Sequence, residues 1–128
     1  MKNLIQICLM AFAFTVFFSS CGKNYNYQKV VVNNSQDDIV VQYDCCGDEK
    51  IFVIPAMSEQ VVFVCTYQTY QKPDCSDVEG KFSITLADDF DKNTITKEIT
   101  DANHWNFEED GLDLSCIFTI EPNDIKKL

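Results

Sequence analysis

A chain of 128 residues is long enough for one compact core and too short for a second domain. Ten lysines and no arginine stand against 20 carboxylates, for a net charge of −10. That balance excludes the basic, arginine-bearing surfaces that grip nucleic acid or anionic headgroups, and the acidity itself speaks only to solubility and attraction for cations.

The chain opens with Lys2, followed by residues 4–18, an apolar stretch interrupted only by Gln6 and Thr15. A helix needs about 20 apolar residues to cross a hydrocarbon core of about 30 Å, so this stretch is too short for a permanent span and fits an export signal. Two small residues, Ser19 and Ser20, lead into Cys21 and Gly22. The run Phe17-Phe18-Ser19-Ser20-Cys21-Gly22 resembles the end of the signal in bacterial lipoprotein precursors. The resemblance covers residues 1–22 only. It implies a signal peptide over residues 1–20, cleavage before Cys21, and acyl chains on the Cys21 thiol and its new amino terminus. One acyl chain holds a protein marginally at about 0.8 kcal/mol per buried methylene, and two or more hold it stably. On this reading Cys21 and the residues to Gln28 are lipid site and spacer, and residues 29–128 are the domain. The mature chain then carries nine lysines against 20 carboxylates. A chain of that size buries roughly two-thirds of its unfolded surface.

Beyond the leader the periodicity is two. Tyr25, Tyr27, Lys29 and Val31 alternate with Asn26, Gln28, Val30 and Val32 until a run of turn formers at residues 33–38. Ile39, Val41 and Tyr43 make a second strand, and residues 51–54 a third that Pro55 closes because it cannot donate to a ladder. Residues 61–67 are apolar on both faces, which predicts a central strand or one covered on both sides. Residues 68–80 form the longest loop. Phe82, Ile84 and Leu86 begin a hairpin whose second arm is residues 94–100, after the acidic turn at residues 88–93. Leu114, Cys116, Phe118 and Ile120 face one way in the last strand, which Pro122 ends. About seven short strands with no amphipathic helix predict an all-β fold, a single antiparallel β-sandwich. The pattern resembles immunoglobulin-like architecture, although Trp105 falls too late and Leu114 stands where a tyrosine corner needs tyrosine.

Five cysteines remain beyond Cys8 and Cys21: Cys45, Cys46, Cys65, Cys75 and Cys116. In an oxidising envelope an odd set favours one or two disulfides and a leftover thiol. The ten-residue separation of Cys65 and Cys75, with Pro73 able to fold the loop back, makes that pair the candidate bridge. No pair of closely spaced cysteines of the zinc type is present, so no metal and no cofactor are expected.

Asp89, Asp91 and Asn93 match the start of a calcium loop, but Thr94 and Thr100 stand where glycine and glutamate belong. Asp101, Asn103, Glu108, Glu109, Asp110 and Asp113 are dense enough to hold a hard cation if a loop gathers them. His104-Trp105 supplies a candidate ligand-binding pair, because an exposed tryptophan beside carboxylates can stack on a sugar; its rival role is to cap the core. No catalytic triad or nucleophile elbow is present. The expectation is a non-catalytic lipoprotein of the bacterial envelope, facing the periplasm from the outer membrane and binding another protein. The alternative is a glycan- or calcium-binding module built on the Trp105 region.

Overall fold

The computed structural model describes residues 22–45, 47–70, 72–75 and 81–128. The predicted signal, Cys21, Cys46 and much of the long loop lie outside the described residues. Among the described residues nine strands follow in chain order: β1 (Lys23–Asn33), β2 (Ile39–Cys45), β3 (Asp48–Ile54), β4 (Ser58–Thr69), β5 (Lys81–Leu86), β6 (Asn93–Ile95), β7 (Trp105–Asp110), β8 (Asp113–Ile120) and β9 (Ile125–Lys127). They form three open sheets in the orders β4-β1-β8-β7, β3-β2-β5 and β6-β9.

Alternation builds the core, broken in β1 only by Val30, which is also buried. Along β1, Tyr25, Tyr27, Lys29, Val31 and Asn33 are buried, and along β8 Leu114, Cys116, Phe118 and Ile120 are fully so. Ile39, Val41 and Tyr43 of β2, with Phe82 and Leu86 of β5, supply the opposing face. Ring contacts run from one sheet to the other: Tyr67 to Tyr27, Tyr27 to Phe63, Phe63 to Tyr43, Tyr43 stacked on Phe82 at 4.5 Å, then Trp105 and Phe118. The two larger sheets therefore share one apolar interior.

A buried polar knot fixes the crossing from β1 to β2. The Asn33 amide nitrogen reaches the carbonyls of Asp37 at 2.7 Å, Pro55 at 3.1 Å and Ile54 at 3.2 Å, while its oxygen accepts from the Ser35 hydroxyl and backbone N–H. Buried backbone groups need such partners, and one side chain supplies them for two turns at once.

Four expectations are corrected. Residues 23–28, read as spacer, are already strand, with Tyr25 and Tyr27 in the core. The pairing is not antiparallel throughout, since β1 runs parallel to β8. Residues 94–100 do not return along β5. Only β6 forms there and it pairs with β9, because Thr96 bonds the Asp124 carbonyl through its N–H and hydroxyl and Ile99 turns into the core. Pro122 ends β8 as predicted but opens a 3-10 turn (Pro122–Asp124) that leads into β9. The fourth concerns β4, which is an outer strand rather than a covered one. A register shift opposite Lys29 and Val30 leaves Val62 unpaired in the ladder and buried.

Phe118 is wholly enclosed between Trp105 and the Lys97 chain. Phe118→Ala is expected to cost about 3–5 kcal/mol of unfolding free energy in a urea titration, because the emptied ring volume cannot collapse. An unchanged midpoint would contradict the packing.

Candidate functional site

Trp105 opens β7 with its ring between Phe82 and Phe118 and only 6% of its surface exposed. Its indole N–H donates to the Ile99 carbonyl at 2.8 Å. An indole held this way caps the core and offers no face to a sugar. His104, in the 3-10 turn Ala102–His104, places Nδ1 2.8 Å from the Glu98 carbonyl and Nε2 3.8 Å from Asp101. The carboxylates of the same region do not converge: Glu109 pairs with Lys72, Asp113 accepts from Asn26, and Asp101 caps its own turn through the Asn103 N–H. Among the described residues no three His, Cys, Asp or Glu side chains gather as a metal site.

The candidate bridge is also corrected. Cys75 bonds Cys116, with Cα atoms 5.6 Å apart, and Cys65 is free. The reason is which side of β1 the chain crosses. Cys65 lies on β4 opposite Tyr27, whereas Cys116 lies on β8 opposite Lys29. Residues 74 and 75 are drawn toward the β8 side by two buried β1 side chains. The Tyr27 hydroxyl donates to the Asp74 carbonyl at 3.0 Å, and Lys29 Nζ donates to the Cys75 carbonyl at 3.3 Å.

Lys29 is the residue that sequence reading passed over. It is 1% exposed, with Nζ 4.6 Å from the Trp105 ring centre and 5.4 Å from that of Phe82. Burying an ammonium is costly unless it is engaged, and desolvated cation–π contacts contribute about 2 kcal/mol or more. The signal was present in the alternation, which placed a lysine in a row of inward residues. Its chemistry here is positional: it fixes the disulfide-bearing segment over the sheet.

What the molecule leaves open lies at the other side of β1. β3 and β4 are consecutive outer strands of different sheets, joined through Pro55, Ala56 and Met57. Between them runs a cleft of about 340 Å³ lined by Tyr43, Phe52, residues 61–64, and Asp48 and Lys50 at one end. Of that lining Val64 is 71% exposed, and Ile51 and Val53 of β3 are exposed as well. From residue 60 to residue 71 the chain has no charged side chain, in a protein that carries 20 carboxylates.

Proteins blunt open strand edges with charge, proline or shortness. The opposite edge of the same sheet, β7, carries Glu108, Glu109 and Asp110, and the neighbouring edge β3 carries Asp48, Glu49 and Lys50. β4 has twelve residues, one charge at Glu59 and no proline. Among the described residues no strand pairs with its outer side. A row of backbone donors and acceptors flanked by valines is what an incoming strand pairs with.

A scan against protein-family models finds no matching family, and comparisons with curated proteins and with solved structures find no match.

The Cys75–Cys116 bridge closes a separation of 41 residues. Replacing both cysteines with serine is expected to lower stability by about 2–4 kcal/mol, whereas Cys65→Ser should stay within about 1 kcal/mol. Equal midpoints for the two variants in guanidinium titration would contradict the assigned pairing.

Proposed function

We propose that the protein is a non-catalytic component of a bacterial cell envelope, an immunoglobulin-like β-sandwich tethered through lipidated Cys21 and binding another protein along the outer side of β4. The observation that carries this reading is the run of β4 from residue 60 to residue 69, which has no charged side chain, lies beside the cleft and has no described strand on its outer side, whereas the outer strands β3 and β7 carry three charges each. The tether is supported by the short apolar leader and the small residues before Cys21. With β1 beginning at Lys23, a lipidated Cys21 leaves only Gly22 between anchor and fold. The domain then rides close against the outer membrane, on its periplasmic side, rather than at the end of a flexible leash. Trp105 and its carboxylate neighbours serve the core and the turn before β7.

Two substitutions separate the parts of this reading. Cys21→Ala is expected to move the protein from the membrane fraction to the soluble fraction and to abolish fatty-acid labelling. Val64→Lys, at an exposed position, should change stability by about 0.5 kcal/mol or less yet abolish co-purification of the envelope partner. Retained labelling in Cys21→Ala would remove the tether, and undiminished co-purification with Val64→Lys would remove the β4 edge as the binding surface.

A further inference from the structure

The partner of this edge can be read from the edge itself. An antiparallel two-fold pairing of β4 with β4 of a second copy, centred on Cys65, sets Phe63 against the partner's Tyr67, Val64 against the partner's Thr66, and Cys65 against the partner's Cys65. The first two are favourable cross-strand combinations, aromatic with aromatic and β-branched with β-branched. The ladder with β1 is regular from Phe63 to Thr69, so the bulge at Val62 lies outside the central pairs. Charge also selects this surface. Two copies of a chain with net charge −10 repel wherever carboxylates face each other, and residues 60–71 are the longest uncharged run after the leader.

We propose that a second copy of this chain is the partner, joined through β4 to make one continuous sheet of eight strands across the dimer. This rests on the reading of β4 as a protein-binding edge and names its occupant. Val64 and Thr66 face outward, while Phe63, Cys65 and Tyr67 face the side that Tyr27 occupies. Directly opposed antiparallel positions lie about 4.5–5.5 Å apart at Cα, inside the span of a disulfide. Cys65 is therefore a reporter of the pairing. With oxidised glutathione as oxidant, the two Cys65 thiols give up two protons and two electrons to form one S–S bond, and the oxidant becomes two molecules of reduced glutathione.

The test uses the full chain in detergent micelles. Sedimentation should show a monomer–dimer equilibrium that Val64→Lys weakens about tenfold or more. Oxidised glutathione should cross-link the native chain and not Cys65→Ser. Thr66→Lys, on the same outward face, serves if Val64→Lys does not fold. A monomer at every concentration, or cross-linking unaffected by either lysine, overturns the proposal. A benzophenone side chain at position 64, photolysed in the intact envelope, distinguishes its failure from that of the broader reading. An adduct of twice the chain mass supports the second copy. An adduct with a different protein overturns it while leaving β4 a binding edge, and no adduct overturns both.

Discussion

The inward row of β1 is buried all together or not at all, because a strand of period two cannot turn one member out without turning out the rest. That row is Tyr25, Tyr27, Lys29, Val31 and Asn33, and two of the five are strongly polar. Their burial forces the surrounding chain to supply partners, and the sites of supply define the molecule. Asn33 gathers the carbonyls of Asp37, Ile54 and Pro55, which fixes the turn after β1 and the end of β3. Lys29 and Tyr27 take the carbonyls of Cys75 and Asp74, which brings Cys75 over β8 and within bonding distance of Cys116. A polar group buried without a partner costs about 1–3 kcal/mol, more for a charge, so these contacts hold the connections where they are.

The same strand divides the sheet into a closed side and an open side. Toward β8 and β7 it is bridged by the disulfide, lidded by Trp105 and bordered by three carboxylates. Toward β4 the ladder ends, among the described residues, with β4 itself. Phe63 and Tyr67 hold the inner face of β4 against Tyr27 and Tyr43, along the stretch from Phe63 to Thr69 that stays in register with β1. Its outer face presents Val64 to solvent. Strand addition along that edge, as proposed, would draw on this rigid inner face, since little ordering entropy would remain to be lost.

Much of this was legible in the residues. The alternation in β1, β2, β5 and β8 follows from spacing alone, and the ends of β3 and β8 follow from Pro55 and Pro122. β4 was misplaced for an instructive reason. Valine, phenylalanine and tyrosine on both faces look alike whether a strand is covered by its own chain or waits for another, because composition reports the cost of exposure and not who relieves it. The disulfide was illegible because sequence distance favours Cys65, while the choice turns on which side of β1 the loop descends. The parallel pairing of β1 with β8 leaves no local mark, since each strand alternates as it would beside an antiparallel neighbour. Trp105 carried two readings into the structure, and the hydrogen bond to Ile99 decides for the core.

Amide hydrogen exchange, followed residue by residue in a chain kept dilute enough to be monomeric, tests most directly whether β4 is an open edge. The account predicts that alternate amides between residues 61 and 66 exchange orders of magnitude faster than those of β1 and β8, while the amides bonded to β1 stay protected. Uniform protection along β4, equal to that of β1, would mean that the edge is already covered and would contradict the account.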